Sequence, residues 1–387
     1  MNQGFTLDTR ISTVPQSPDC VYLDIQTTNI LGNSTQPIPI NFSENRTNAI
    51  LDNAGEYCMS VVRFSLDTQT LPVFIPTIQG TSTGNTDPNK TVYYVGMTNG
   101  SSSVSYPIEW IPQNQYLSAP SVGQQPIETS MNNLYYYCYD YSWLAYLVQN
   151  AMTQCFNALG LTGTPPTFVY DPSSQKFIVS ANKALFQYTS PSSPPQCGLY
   201  FNSDLYDLFS TFSFINTGLS SDNLHYMLVF NSSNGANDII MNTTDDNPDN
   251  NEVFIQTIQE LPTLSNITPI SSIVFTSSML PVEPEQISSP QLYLEGTHLT
   301  SGNNANIGAI ITDLESDDGV YKPSLSYVPT AEYRRLSMLS SRELTHIQLS
   351  VYWKNRFGQL FPVTLGGGAS MTCKILFQKR SSIYNNV

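Results

Sequence analysis

The segment from Leu344 to Phe377 constrains the fold of this chain most strongly. Apolar and polar residues alternate along its first stretch, Leu344–Lys354, and a period of two is typical of a β-strand rather than a helix. A turn at 355–358 and a glycine run at 366–368 separate this stretch from a second one, Ser370–Phe377. One face of the first stretch is almost wholly apolar and the other is mostly polar, so a second sheet should cover the apolar face only. The segment predicts the closing part of a two-sheet sandwich.

The composition of the whole chain also indicates a β-rich protein. Charged residues make up 12% of the 387 residues, which is about half of the usual quarter. The 26 prolines and 21 glycines are spread along the chain instead of forming one linker, as expected when turns recur throughout. Thr, Val, Ile, Tyr and Phe are abundant and favour strands. We therefore predict an all-β protein.

The order of the predicted elements indicates that the sandwich is interrupted by an insertion. We expect about four strands before the insertion and about four long strands after it, which together would make an eight-stranded roll. The insertion combines one helix with short strands, as a small α+β unit does. The expected parts are an N-terminal arm (1–19), a first half of the roll (20–118), an inserted α+β unit (119–250), a second half of the roll (251–380) and a tail (381–387).

One helix is predicted inside the insertion. Asp140 is a natural N-cap, and Gly160 stands where helices commonly end in the left-handed conformation. Between them, apolar residues recur three or four positions apart, which is the spacing of an amphipathic helix. We favour a helix that lies across a sheet. The alternative is a helix that binds a partner protein.

The sequence lacks the usual patterns of an enzyme. The glycines at 366–368 are followed by Ala-Ser-Met, without the lysine of a phosphate-binding loop, and no nucleophile elbow is present. A nucleophile would need His225, His298 or His346 as its base. His346 lies on the more polar face of its strand, where a surface hydrogen bond is the favoured interpretation. We expect no enzymatic activity, no catalytic residue and no cofactor.

Metal binding is not expected either. The six cysteines form no C-x-x-C pair and have no histidine at ligand spacing, which argues against zinc. Asp245, Asn247 and Asp249 place oxygen ligands at alternating positions, as a calcium loop does, but the loop lacks the required Gly and Glu further on. These three residues are the calcium candidates, and a solvated loop is the favoured interpretation. No apolar run approaches the length of a membrane span.

Charge is distributed unevenly along the chain. From Lys322 onward there are nine basic and two acidic residues, whereas the preceding part has six basic and 28 acidic residues. One interpretation is that the basic C-terminal region contacts an acidic partner, either nucleic acid or a neighbouring acidic subunit. The alternative is that the Lys and Arg side chains protect strand edges from unwanted pairing.

Four stretches resemble the jelly-roll capsid proteins of icosahedral DNA viruses. They are Ser60–Phe64, Leu71–Pro76, Tyr333–Arg335 and Leu344–Phe377. The likeness lies in long strands rich in Tyr, Phe and Pro, loops rich in Asn, Ser and Thr, few charges and a polar N-terminal arm. In penton (vertex) proteins of this kind, one roll is split by an inserted domain and the subunits form pentamers. In double jelly-roll major capsid proteins, each chain has two rolls and forms trimers. The split arrangement favours the penton type, with the double jelly roll as the alternative.

The resemblance implies a structural subunit of a virus shell, made inside the host cell and located in the virion. Its partners would be copies of itself, as a pentamer or trimer, and neighbouring capsid proteins. Under this hypothesis Phe64, Trp353, Phe357 and Phe361 are core anchors, and Tyr352 on the outer face is an interface residue. The rival hypothesis is a receptor- or carbohydrate-binding β-sandwich, in which Tyr135–Tyr137 would stack on sugars.

Overall fold

The structure, a computed structural model, describes residues 17–30, 37–79, 87–120, 133–218, 223–231, 238–242, 251–283, 291–295, 298–302, 309–315, 324–327 and 334–384. Most of its regular elements are strands. In chain order the strands are β1 (Cys20–Thr28), β2 (Ile38–Pro39), β3 (Asn41–Asn45), β4 (Tyr57–Asp67), β5 (Lys90–Thr98), β6 (Ser103–Glu109), β7 (Thr167–Asp171), β8 (Lys176–Asn182), β9 (Gly198–Phe201), β10 (Phe214–Asn216), β11 (Tyr226–Leu228), β12 (Asp238–Asn242), β13 (Asn251–Ile258), β14 (Ile270–Ser277), β15 (Gln291–Glu295), β16 (His298–Gly302), β17 (Ala309–Leu314), β18 (Ser324–Tyr327), β19 (Leu336–Ser337), β20 (His346–Asn355), β21 (Leu360–Pro362), β22 (Thr364–Leu365) and β23 (Ser370–Lys379). The helices are α1 (Tyr141–Ala158), α2 (Lys183–Phe186), α3 (Ser203–Leu208), α4 (Leu264–Ile267) and α5 (Arg380–Tyr384).

The chain divides into two compact units. The first, here called the roll unit, consists of the described parts of Met1–Thr68, Ser272–Leu314 and Pro323–Val387. The second, here called the inserted unit, consists of the described parts of Gln69–Ser271 and Glu315–Lys322. The roll unit is thus assembled from segments that are distant in sequence.

The roll unit is an eight-stranded jelly roll. Its first sheet has the order β1-β23-β4-β18, and β19 also pairs with β4. Its second sheet has the order β17-β14-β20, and β3 pairs with β20 on the other side, as does β21. Along the chain, β1, β4, β18 and β23 enter the first sheet and β3, β14, β17 and β20 enter the second. This exchange between two antiparallel sheets is the jelly-roll pattern, so the predicted fold class is confirmed.

Alternating burial explains why the strands of the roll unit form two covered faces. In β20, Ile347, Leu349, Val351 and Trp353 are all buried, as the period of two predicts. The opposite sheet supplies Phe64 on β4, whose ring meets Phe275 on β14 edge to face with 5.2 Å between centroids. Both of these rings are fully buried. Burial of each such side chain stabilises the folded state by about 1.5–3 kcal/mol, which makes this layer the core of the roll.

The roll is interrupted earlier than the sequence indicated. The expected first half extended to residue 118, but the roll unit leaves its first segment after β4, with three strands in place instead of four. The next two strands, β5 and β6, belong to the inserted unit because β5 pairs with β9. At the other end, β13 pairs with β8, so the inserted unit also extends past residue 250. Alternation reveals which face of a strand is buried but not which strand it will join.

The inserted unit is an α+β fold rather than a second jelly roll. Its described strands form sheets with the orders β10-β11-β9-β5-β6 and β12-β13-β8-β7, and neither repeats the order of the roll unit. Helix α1 packs against β5, β6 and β7. The Asp140 side chain accepts a hydrogen bond from the Ser142 backbone N–H at 2.7 Å, and Gly160 adopts a φ of +63° just past the helix end. The prediction of a helix lying across a sheet is confirmed.

Candidate assembly surfaces

Three of the predicted core anchors are buried inside the roll unit. Phe64 lies between the sheets, and Trp353 and Phe361 face each other across β20 and β21. Their rings stack with centroids 4.4 Å apart and an interplanar angle of 24°. This cross-strand aromatic pair fixes the register of β21 against β20. These residues stabilise the subunit and do not contact a partner.

Phe357 is exposed, and the prediction that it anchors the core is wrong. It lies in the turn between β20 and β21, and 61% of its side chain area is exposed. The strand alternation ends at Asn355, so the pattern that buries Trp353 no longer applies two residues into the turn. A residue at the tip of a two-stranded connection points away from both faces of the sheet.

The turn that carries Phe357 is held from below by the side chain of Asn355. Its Oδ1 accepts hydrogen bonds from the backbone N–H of Phe357 at 3.0 Å and of Gln359 at 2.8 Å. Its Nδ2 donates to Gln359 Oε1 at 2.8 Å. Asn355 itself is buried, and Gly358 supplies the positive φ of +78° that closes the turn. The tip is therefore fixed by contacts within its own hairpin.

Tyr352 lies on the opposite face of β20 from the core, as predicted, and is half-buried. Earlier along this face a polar network joins neighbouring strands. The Gln348 amide accepts from the Ser278 backbone N–H at 2.8 Å and donates to Asn41 Oδ1 at 3.1 Å. His346 takes part through a hydrogen bond between its Nδ1 and Asn45 Oδ1. His346 is thus a surface hydrogen-bonding residue on a strand, as expected.

The outward face of the first sheet carries a small charged cluster. Asp24 on β1 lies 3.3 Å from Lys374 Nζ and 4.0 Å from Arg63 Nη2. The Lys374 ammonium also lies 5.8 Å from the centre of the Tyr22 ring, a cation–π contact. Tyr22 and Asp24 are mostly exposed. This face combines an exposed aromatic ring with two cations and one anion.

Strand β1 gives this sheet an open edge. It pairs with β23 over its whole length, from Cys20↔Gln378 to Thr28↔Ser370. Among the described residues no strand pairs with its other side. A nine-residue strand with one unpaired edge exposes a row of backbone donors and acceptors to which another chain can pair.

Much of the basic C-terminal region is neutralised within the roll unit. Arg334 pairs with Asp313 at 2.8 Å, and Lys379 pairs with Glu56 at 3.4 Å. Arg380 donates to the Met338 carbonyl at 2.7 Å. Lys322 lies outside the described residues. Some of the basic side chains of this region are therefore paired with acidic residues from distant segments of the same chain.

The three tyrosines of the rival sugar-binding hypothesis are buried. The exposed fractions of Tyr135, Tyr136 and Tyr137 are 5%, 3% and 6%. The hydroxyl of Tyr135 donates to Asn89 Oδ1 at 2.7 Å, and that of Tyr136 donates to the Pro88 carbonyl at 3.0 Å. Burial raises the pKa of Tyr136 to about 12 and that of Tyr137 further. The prediction that these rings form an exposed stacking platform is wrong.

The inserted unit also has an open polar cleft of about 530 Å³. Its floor includes Glu252, which accepts a hydrogen bond from Asn182 Nδ2 at 3.2 Å. The same Asn182 caps α2 by accepting from the Ala184 backbone N–H. The main polar groups of the cleft are thus already engaged with each other. The predicted calcium candidates Asp245, Asn247 and Asp249 lie outside the described residues, and the described residues contain no cluster of three metal-ligating side chains.

Comparison with known proteins identifies the family. The family model "Sputnik minor capsid protein V18/19" matches residues 21–379 of this chain. The chain belongs to this family. The V18/19 match covers both the roll unit and the inserted unit. None of the helices in the described ranges is both long and apolar enough to cross a membrane.

Two relatives of this V18/19 family member come from Sputnik virophage. "Structural protein V19" of Sputnik virophage is 26% identical over 218 residues, which cover 56% of this chain and 94% of that protein. "Uncharacterized protein V18" of Sputnik virophage is 36% identical over 147 residues, or 37% of this chain and 86% of that protein.

Solved structures of virus proteins share the fold. A chain of the Sputnik virophage structure determined by cryo-electron microscopy is 26% identical, covers 95% of this chain and 99% of its own length, and gives a TM-score of 0.76. The crystal structure of the mavirus penton protein is 19% identical, covers 93% of this chain and 99% of its own length, and gives a TM-score of 0.56, which shows a common fold. The V18/19 protein is therefore a structural capsid protein of a virion, and it assembles there with other capsid subunits.

Proposed function

We propose that this V18/19 protein is the vertex (penton) subunit of an icosahedral shell and that five copies form a ring. The observation that carries the proposal is the single jelly roll split between its third and fourth strands by a separate unit. The mavirus penton protein has the same fold over 93% of this chain. A double jelly-roll subunit would need a second roll, which the described strands of the inserted unit do not build.

The surfaces of the roll unit suit a ring. Closed rings are built from heterologous contacts, in which one patch of each subunit meets a different patch of the next. The roll unit offers two unlike surfaces: the open edge of β1 beside the Asp24–Lys374 cluster, and the exposed turn between β20 and β21. Each subunit of a ring would use one of them toward each neighbour.

The basic C-terminal region is assigned to contacts with acidic capsid subunits rather than with nucleic acid. The pairs Arg334–Asp313 and Lys379–Glu56 demonstrate that these cations already meet carboxylates of the same chain. Carboxylates of a neighbouring copy or of another capsid protein offer the same chemistry. The acidic remainder of the chain would repel a phosphate backbone.

Light scattering coupled to size-exclusion chromatography tests the proposal on the full-length chain. We expect a particle of five times the 42.9 kDa subunit mass at micromolar concentration, and five-fold class averages by negative-stain electron microscopy. A stable trimer would contradict the vertex assignment and favour a different capsid position. A monomer at every concentration would contradict self-assembly of the isolated chain. Filter binding with double-stranded DNA at physiological salt should give no specific retention.

A further inference from the structure

We propose that the turn between β20 and β21 is a docking anchor, in which Phe357 of one copy packs onto an acidic surface of a second copy. The inference rests on the proposed homo-oligomer and names the residues that would join two of its subunits. It is independent of whether the ring has five members.

The first argument is the contrast between the exposure of Phe357 and the rigidity beneath it. The phenyl ring is mostly exposed to solvent, while Asn355 directly below is fully buried and makes three side-chain hydrogen bonds. A loop that serves only as a connection needs neither feature. An aromatic ring held in a fixed position loses little conformational freedom on binding, and such residues dominate binding energy at protein interfaces.

The second argument is the charge of the surrounding surface. Arg356 and Lys354 flank the tip, and the segment from Leu344 to Lys379 contains no acidic residue. Arg356 is exposed and Lys354 half-buried, and both make interactions within the chain. The tip therefore combines an apolar ring with a local excess of positive charge. Its complement is an apolar surface rimmed by carboxylates.

The third argument identifies the occupant as a second copy of this chain. The residues before Lys322 include 28 acidic and only six basic side chains, so that part of any other copy carries a net negative charge. The basic tip of one copy would be attracted to carboxylates in that part of the other copy, whereas two basic tips would repel each other. A heterologous contact between unlike patches follows, which is the kind that a ring requires.

Photo-crosslinking from position 357 tests the contact directly. The full-length chain is made with p-benzoylphenylalanine in place of Phe357, in a mixture of unlabelled and ¹⁵N-labelled copies, and irradiated at a concentration at which the wild type is oligomeric. Mixed-isotope crosslinked peptides that join residue 357 to an acidic segment before Lys322 are the expected result. Crosslinks confined to one copy, or formed only with added DNA or another capsid protein, would overturn the proposal.

Variants provide a second test that separates this inference from the proposed function. Phe357→Ala and Arg356→Glu should each raise the concentration at which the oligomer dissociates by about tenfold or more. The thermal unfolding midpoint of Phe357→Ala should match the wild type because its side chain is exposed. That of Arg356→Glu should fall only slightly, because Arg356 is exposed but makes an interaction within the chain. Tyr116→Ala, which alters a ring that is 98% exposed in the inserted unit, should leave the oligomer unchanged. If both tip variants form oligomers as stable as those of the wild type, the anchor alone is refuted. If the wild type is a monomer, the proposed function is refuted as well.

Discussion

The rings of Phe64 and Phe275 meet edge to face, with 5.2 Å between their centroids, although the Gln69–Ser271 segment of the inserted unit lies between them in sequence. Phe64 lies on β4, the third strand of the roll, and Phe275 lies on β14, the fourth. Each comes from a different sheet, so their contact joins both the two layers and the two halves of the roll. The contact shows that packing of side chains joins the two halves of a split domain.

Phe64→Ala should therefore destabilise the roll unit by about 3–5 kcal/mol, the usual cost of removing a buried Phe from a packed core. Trp353 is the tryptophan of the roll unit, whereas Trp110 and Trp143 belong to the inserted unit. Urea unfolding followed by fluorescence in a W110F/W143F background reports on the roll unit. Phe357→Ala in the same background should change stability by less than about 0.5 kcal/mol, as exposed sites do. Equal effects of the two variants would contradict the assigned burial.

Asn355→Ala should weaken the hairpin of β20 and β21 by about 2–3 kcal/mol, because it removes three hydrogen bonds and leaves two partly buried backbone donors without their side-chain acceptor. Trp353 fluorescence is again the readout, since its ring stacks on Phe361 in the same hairpin. Asn355→Asp keeps the accepting oxygen and should lose less. A loss of equal size in both variants would assign the effect to the amide donor alone.

Asn202→Ala should destabilise the inserted unit by about 2–4 kcal/mol, since one buried side chain serves a helix and a strand together. Its Oδ1 accepts from the backbone N–H of Tyr94 at 3.0 Å and of Leu205 at 3.1 Å. Its Nδ2 donates to the Val92 carbonyl at 2.8 Å. Urea unfolding followed by the fluorescence of Trp110 and Trp143 in a W353F background measures the change. Asn216→Ala, at an exposed strand end of the same unit, is the matched control and should stay near the wild type.

Alkaline pH should destabilise the chain through its buried thiols. Burial raises the pKa of Cys138, Cys155 and Cys373 from 9.0 to about 12. A thiol with a raised pKa stays neutral in the folded state and ionises first in the unfolded state. Its contribution to stability is thus complete below pH 9 and is lost as the pH rises toward about 12. The urea midpoint of unfolding should decrease as the pH is raised from 8 to 11. When unfolding is followed by the fluorescence of Trp353, Cys373→Ser should make this decrease smaller.

Thiol labelling checks the same burial independently. At pH 8, Cys20 is exposed and should react rapidly with a disulfide reagent such as DTNB. Cys138, Cys155, Cys197 and Cys373 are buried and should react only after unfolding. Rapid labelling of all six cysteines in the native protein would refute the described core. A Cys20→Ser variant that loses the fast phase would assign it.

The fold was predictable where local pattern and final environment agree. The alternation from Ile347 to Trp353 places the same four side chains in the core that the structure buries. The cap at Asp140 and the terminator at Gly160 bound a helix that ends within two residues of the latter. In these places the periodicity or the capping residue acts over a few positions, so a linear pattern contains the information.

The sequence pattern did not predict which strands pair with each other. The sequence identified strands at the positions of β5 and β6, but only the pairing of β5 with β9 assigns them to the inserted unit. The sequence predicted that Leu344–Phe377 closes the sandwich, but it did not assign the two stretches of this segment to sheets. In the structure, β20 and β23 lie in different sheets, and only β21 turns back on β20. Every strand has the same side-chain period of two residues, so this period cannot show which strands become neighbours in a sheet.

The residues of the candidate surfaces were the hardest to assign. Phe357 follows an apolar strand and was expected in the core, but the turn that begins at Asn355 directs it outward. Tyr135 and Tyr136 were expected to be exposed in the rival hypothesis, yet both are buried and their hydroxyls donate to Asn89 and to the carbonyl of Pro88. The second error arises because the burial of these tyrosines depends on partners that are distant in sequence. The Asn-x-x-Gly pattern at 355–358 is the one local signal for the turn.

The pairing of β1 with β23 also sets the order of events during synthesis. Strand β1 (Cys20–Thr28) is made well before its neighbour in the sheet, β23, which ends at Lys379. At roughly 5–20 residues per second, the inserted unit is complete many seconds before the roll can close. The surface of the first sheet therefore does not exist on a partly made chain. The complete edge formed by β1 and β23 is therefore available to a neighbouring copy only after residues up to Lys379 have been made.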